Sequence, residues 1–333
     1  MSTNKLCTIG LLAPALLQVS ACSGVQSALS PGGEEATRVV LLSWIMFGGG
    51  AAILLLVIVL TGLALNGPAS WKKRLANSCT VVALGLVFPV VVLSALLSYG
   101  FIVMRLDLPA SQTSGSLKVS VVGNQWWWRI TYHHPDGTTT ETANELYIPV
   151  GKPIELTLTS ADVLHSFWVP AYAGKVDMVP GRTNKLRFTA QEAGLVRGQC
   201  AEYCGGAHAL MAFYVVAVPP PAFKEWMQNE RAGAARSLPS AAAERGRELF
   251  LGSGCGACHA IRGTGAHGLI GPDLTHVGSR HSLGAAVLPN GHDAVANWLA
   301  EHQAIKPGNH MPPYDFLTAT QREALAAYLM SLQ

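Results

Sequence analysis

Two stretches of this chain, Val39 to Leu65 and Cys79 to Met104, are predominantly apolar and contain no charged residue. Each is longer than the roughly 20 residues that an α-helix needs to cross the hydrocarbon core of a bilayer. The pattern predicts a two-helix transmembrane hairpin over residues 36–105 rather than two buried helices of a soluble domain. Between the runs lie Asn66-Gly67-Pro68 and then Trp71-Lys72-Lys73-Arg74. Three adjacent cations in a short loop put that loop on the cytoplasmic side, so everything after Arg105 faces outward. Composition agrees: 50% of residues are hydrophobic and only 13% are charged, which is low for a soluble protein.

Residues 1–22 read as an export signal. Lys5 supplies a positive start, Leu6 to Leu17 an apolar run, and Val19-Ser20-Ala21-Cys22 a small-residue cleavage site ending in Cys. That tetrapeptide resembles a bacterial lipoprotein box, in which Cys22 is the lipidated first residue of the mature chain. The formal net charge of +3 is small, and no basic run is interleaved with aromatics, so nucleic acid is not an expected partner. Seven cysteines, unevenly spaced, suit ligands and attachment points better than a disulfide framework.

From Leu117 to Val218 the pattern shortens to strands. Leu117–Val122, Arg129–Tyr132, Glu145–Ile148, Pro153–Thr159, Lys185–Thr189 and Phe213–Val218 are apolar or β-branched segments, separated by turn signals such as Pro135-Asp136-Gly137. A β-sandwich or barrel over residues 106–221 follows. Within it, Cys200-Ala-Glu-Tyr-Cys204-Gly-Gly-Ala-His208-Ala-Leu-Met211 gathers two thiols, an imidazole and a thioether in one loop. This soft-sulfur and imidazole set is one that copper favours, with Met as a typical weak ligand. The loop is one ligand short of a two-metal site, and His165 is the candidate for it.

Pro219-Pro220-Pro221 ends that domain, because consecutive prolines cannot continue a central strand. Residues 222–240 read as a linker, with a short helix at Phe223 to Arg231 and an Ala/Gly/Ser-rich remainder. Residues 241–333 are helical in pattern, with helices at Ala243–Leu251, Ala294–His302 and Thr320–Leu332, the last capped by Thr318 or Thr320. Cys255-Gly-Ala-Cys258-His259 is a c-type haem attachment sequence. The two thiols bind the vinyl groups and His259 ligates the iron. Met311, in Asn309-His310-Met311-Pro312-Pro313, is the expected sixth ligand, with His310 its nearest rival. A His/Met pair suits electron transfer rather than oxygen binding. Gly271-Pro272-Asp273-Leu274 is expected beside His259, offering a carbonyl to its ring N–H. His267, His276, His281, His292 and His302 are read as surface residues without a role.

Together these features resemble subunit II of a haem–copper cytochrome c oxidase with a fused cytochrome c, the caa-type arrangement. Gly123-Asn124-Gln125-Trp126-Trp127-Trp128 is similar to the family's aromatic stretch. Val163-Leu164-His165-Ser166-Phe167 with Val169-Pro170, then Lys175 to Arg182, match its copper-domain pattern. The resemblance implies a multidomain membrane protein: a hairpin, a cupredoxin-like domain and an all-α, class I-like cytochrome c domain. It implies a dinuclear copper (CuA) centre bridged by Cys200 and Cys204, with His165 and His208 on one copper each. Met211 is then a weak ligand and Glu202 gives its backbone carbonyl. The Glu202 side chain is also a magnesium candidate at the boundary with subunit I, and Trp126 matches an exposed electron-uptake residue beside the copper.

The implied function is an electron relay from external cytochrome c through the chain's own haem c and the copper centre to subunit I. There oxygen would be reduced to water with proton translocation. The partners are subunit I and the other oxidase subunits, cytochrome c and the membrane. The location is the bacterial inner membrane, crossed twice, with both redox domains on the outer side. Two departures stand out. Val82 occupies the position where the family commonly has a Glu near the start of the second helix. The copper domain also lacks an obvious acidic surface, so steering of a basic donor is weak. A tethered haem domain compensates, since a linked donor is held at an effective concentration on the order of mM. A quinol-oxidase subunit would lack the copper ligands. A nitrous oxide reductase-type copper domain would not combine this hairpin with a c-type haem, and a membrane-tethered redox sensor or copper carrier would need features absent here.

Overall fold

The computed structural model describes residues 24–106, 115–235 and 237–333. The signal segment and Cys22 lie outside the described residues. The chain divides into two units, one spanning Glu35–Ser111 and the other formed by Met1–Glu34 with Gln112–Gln333.

In the first unit, α1 (Glu34–Asn66) and the helical stretch Ser78–Arg105 are each long and apolar enough to cross a membrane. Between them α2 (Ala69–Leu75) carries Lys72, Lys73 and Arg74 in its last turn, where the negative end of the helix dipole favours cations. Lys72 Nζ reaches back to cap Leu65 O at 2.8 Å. The second stretch begins as α3 (Ser78–Val82), which contains Val82 and is capped by the Asn77 side chain. It passes through a π-helical turn at Ala83–Val87, where Phe88 N–H bonds to Ala83 O, and continues as α4 (Phe88–Leu106). Pro89 has no N–H to give and crowds the carbonyl four residues before it, and a widened turn just upstream relieves both problems.

The second unit opens its β-domain with β1 (Leu117–Asn124), β2 (Trp127–His133), β3 (Thr139–Ala143), β4 (Glu145–Pro149) and β5 (Ile154–Ser160). It continues with β6 (His165–Trp168), β7 (Val176–Met178), β8 (Asn184–Phe188), β9 (Gly194–Cys200) and β10 (Ala212–Val218). They form two five-stranded sheets, ordered β3-β2-β1-β5-β8 and β4-β10-β9-β6-β7. Alternation drives the layering: on β2, Trp128, Ile130 and Tyr132 are buried while Trp127, Arg129 and Thr131 are not. Trp128 packs edge-on against Phe167 and Phe213 from the other sheet. The buried Tyr132 hydroxyl donates to Tyr147 O at 3.0 Å and accepts from Tyr147 N–H at 2.8 Å, tying β2 to β4.

The expected linker is half structured. Residues Pro220–Arg231 form α5, with proline in its first turn, where a missing N–H costs nothing. Trp226 on α5 stacks on Tyr147 at 4.3 Å, so this helix belongs to the β-domain and the connection proper begins after it. The C-terminal domain follows with α6 (Ala241–Gly252), α7 (His292–Ile305) and α8 (Ala319–Met330), plus two short β-hairpins. Thr318 and Gln321 cap α8 reciprocally. Gly246 lets α6 cross α8 closely, since a Cβ there would sit 2.0 Å from Ala324 O.

The β-domain and the C-terminal domain are packed together by buried polar contacts. The Glu145 carboxylate, 2% exposed as a residue, accepts His281 N–H at 2.7 Å and Ser282 N–H at 3.0 Å. Arg262 donates to Glu230 O at 2.6 Å and Glu141 O at 3.2 Å while pairing with Asp273 at 2.8 Å. A flexible tether is therefore not what keeps the domains close.

Candidate functional site

The sulfur-rich loop sits at one end of the sandwich, built from the ends of strands. Cys200 closes β9 and His165 opens β6, and both are buried. Backbone bonds set the loop: Cys200 N–H to Met211 O at 2.8 Å, Ala201 N–H to Ser166 O at 3.0 Å, and His208 N–H to Gly205 O at 3.1 Å. Gly205 has φ +111, a conformation that L side chains rarely adopt, and this turn brings Cys204 back over Cys200.

The donor atoms converge. Ligand atoms of His165, Cys200 and Cys204 lie within 4.8 Å of one another. The two thiols are 3.7 Å apart, and Cys200 Sγ is 3.8 Å from His165 Nδ1 and 3.1 Å from Glu202 O. Cys204 Sγ is 3.5 Å from His208 Nδ1 and 3.8 Å from Met211 Sδ. The Glu202 carboxylate points elsewhere, 3.3 Å from Lys175 Nζ. The hydrogen bond between the two sulfurs holds Cys200 down to about 3 against its burial. The same contact, with burial, pushes Cys204 far up. Burial disfavours a charged His165, but its bonds to Cys200 and Asp162 outweigh burial and its pKa is raised. A metal bound here would displace these shared protons.

Asp162 orients the site from behind. Its carboxylate lies 2.7 Å from His165 Nε2 and accepts Gln125 N–H at 2.6 Å and Val163 N–H at 2.7 Å. A carboxylate behind a ligating imidazole fixes its tautomer and leaves Nδ1 facing the sulfurs. Sequence reading missed Asp162, although its position three residues before His165 was a usable signal.

In the C-terminal domain, Cys255, Cys258, His259 and Met311 line one cavity of about 370 Å³. His259 Nδ1 lies 2.8 Å from Pro272 O, which commits that nitrogen as donor and leaves Nε2 for a metal. Burial lowers the pKa of His259, favouring the neutral ring that ligation needs. Burial raises the pKa of Cys255, and Tyr314 beside it is pushed up to about 12 by its own burial and by Cys255. The thiols, the oriented imidazole and the thioether fit a covalently held haem. His276 and His302, read as surface residues, are buried. His302 Nε2 is 3.1 Å from Met311 O, so it steadies the loop that presents Met311.

Trp126 differs most from expectation. It is 7% exposed rather than open to solvent. Its indole N–H donates to Cys204 O at 3.0 Å, and its ring lies 5.6 Å from the His310 ring. The C-terminal domain covers it, and Trp126 lines the same cavity as Cys255 and Met311.

A family model described as the periplasmic domain of cytochrome c oxidase subunit II matches residues 117–218, and one for cytochrome c matches residues 243–333. Cytochrome c oxidase subunit 2 of Alkalihalophilus pseudofirmus is 39% identical over 65% of this chain and 61% of its own length. That of Bacillus subtilis is 34% identical over 68% of this chain and 65% of its own. The chain thus joins a cytochrome c oxidase subunit II periplasmic domain and a cytochrome c domain in one polypeptide. These matches span less than two thirds of either relative. The solved periplasmic domain of subunit II from Bradyrhizobium japonicum is 33% identical, with 36% of this chain and 96% of that one covered and a TM-score of 0.34. As in the family, the β-domain is cupredoxin-like and its His165, Cys200 and Cys204 cluster fits a CuA centre. The helical domain is a cytochrome c domain, which implies haem c.

Proposed function

We propose that this chain is the electron-accepting subunit of a terminal respiratory oxidase, passing electrons from reduced cytochrome c to a haem–copper subunit I that reduces oxygen to water and translocates protons. When bound, the haem and the dicopper centre supply one-electron redox chemistry. The chain's own residues hold them. Cys255 and Cys258 would anchor the haem, and His259 and Met311 would supply the nitrogen and sulfur ligands to its iron. Cys200, Cys204, His165, His208, Met211 and the Glu202 carbonyl hold the copper, and the Glu202 carboxylate is a magnesium ligand shared with subunit I. One observation carries the reading. Trp126 is hydrogen-bonded to the Cys204 carbonyl on one side and packed on His310, the neighbour of Met311, on the other. A buried aromatic touching both cofactor-binding loops suits transfer between them.

The two apolar helices anchor the chain in the bacterial inner membrane, and the basic α2 turn supports placing both redox domains on the outer face. Cys22 is the proposed lipidation site. Purification in mild detergent tests the function. The chain should be recovered with a multi-helix, haem-bearing subunit, and the complex should oxidise reduced cytochrome c with oxygen uptake. Recovery as a lone chain, with no oxygen uptake from any fraction that contains it, refutes the proposal.

A further inference from the structure

Lys306 is the least expected buried charge among the described residues. It ends α7 and is 3% exposed, whereas lysine is almost never fully buried without partners. Its Nζ donates to Trp126 O at 2.6 Å, across the domain boundary, and to Gly284 O at 2.8 Å within its own domain. The loop that it opens is held by Asn309, whose side-chain amide donates to Lys306 O at 2.8 Å and to His302 O at 3.0 Å. That loop then supplies His310 against the Trp126 ring and Met311 to the haem cavity. The other acceptor is also constrained. After Gly284, Ala285 and Ala286 both have positive φ, at 66 and 59. Such conformations are strained for residues with a Cβ and persist only where surrounding contacts hold them. Here Ala285 O accepts Ala212 N–H of the copper domain at 3.2 Å, next to Met211.

We propose that Lys306 is the positioning residue for internal electron transfer: it clamps the cytochrome domain over Trp126 and fixes the indole between the Cys204 carbonyl and His310. The proposal rests on the relay described above. Lys306 is not among the proposed ligands, so its work is geometric. The transfer that it serves breaks no bond; one electron leaves the haem side and one arrives on the copper side. The clamp also closes Trp126 to outside proteins, so an external donor delivers electrons to the haem domain rather than directly to the copper domain.

Two measurements on the intact complex test this. In the wild type, Lys306 should resist amine acylation, read by peptide mass spectrometry, while the exposed Lys224 on α5 reacts quickly. Labelling of Lys306 as fast as Lys224 overturns the proposal. Lys306→Met removes both donor bonds at similar length. It should keep haem absorbance and copper content, increase oxidation of Trp126 in hydroxyl-radical footprinting, and slow haem-to-copper equilibration by about 10- to 100-fold, the scale on which an ångström of misplacement acts. Unchanged footprinting and an unchanged rate overturn it. If the variant loses a cofactor, the acylation result decides. Absence of haem-to-copper transfer in the wild type would refute the relay instead, and the acylation and footprinting results would still report on the clamp.

Discussion

At the scale of single residues, the copper loop depends on groups that are not themselves donors. Asp162 is the clearest case, because one carboxylate serves the His165 ring and the Gln125 and Val163 amides together. Removing such a partner typically costs about 10- to 100-fold in metal affinity. Asp162→Ala should therefore keep the β-domain folded by circular dichroism and lower copper affinity in that range, measured by competition with a chelator of known affinity. Wild-type affinity would show that the ring is held by its packing alone. The residue scale also shows why the burial of Trp126 is not legible in the sequence. The motif identifies an aromatic beside the copper, but its exposure depends on a domain nearly two hundred positions later. Nothing local to Trp126 announces Lys306 or Gly308.

At the scale of elements, Gly246 separates sequence logic from structure. Helix propensity alone says that alanine should stabilise the middle of α6 by about 1 kcal/mol. The close crossing says the reverse, because the added methyl would fall 2.0 Å from Ala324 O, and α6 would have to move off α8. Overpacking of this kind costs about 1–3 kcal/mol, so Gly246→Ala should lower the thermal midpoint of haem loss; a rise would mean that the crossing relaxes freely. Elements with strong periodic signals were legible: both apolar helices, six strands and the three C-terminal helices. The strands at Thr139–Ala143, His165–Trp168, Val176–Met178 and Gly194–Cys200 escaped notice. The first is polar, the second and third have four and three residues, and the fourth is interrupted by Gly194, Gly198 and polar side chains. Their pairing partners define them, and those are distant in sequence. The site was more legible than the fold around it because cysteine, histidine and methionine at close spacing have few other uses.

At the scale of the molecule, docking of the cytochrome domain has a titratable component, and its sign follows from Lys306. Burial pushes this lysine down to about 7; the free side chain titrates at about 10.4. Below about pH 7 the amine is protonated in both folded and unfolded chains, and the folded state bears the whole cost of burying an ammonium. Between the two values the unfolded lysine still holds its proton while the folded one has released it. The unfolded state then binds more protons, so stability rises with pH. The neutral amine loses nothing by this, since its two N–H groups match its two carbonyl acceptors, Trp126 O and Gly284 O. Other groups titrate over the same range, so the comparison must be with Lys306→Met, which lacks this proton. The stability difference, wild type minus variant, should grow between about pH 7 and 10, by at most about 1.4 kcal/mol per pH unit, in denaturant melts of the outward-facing domains. A flat difference would show that Lys306 keeps an ordinary lysine pKa, and so that water reaches the boundary between the two redox domains.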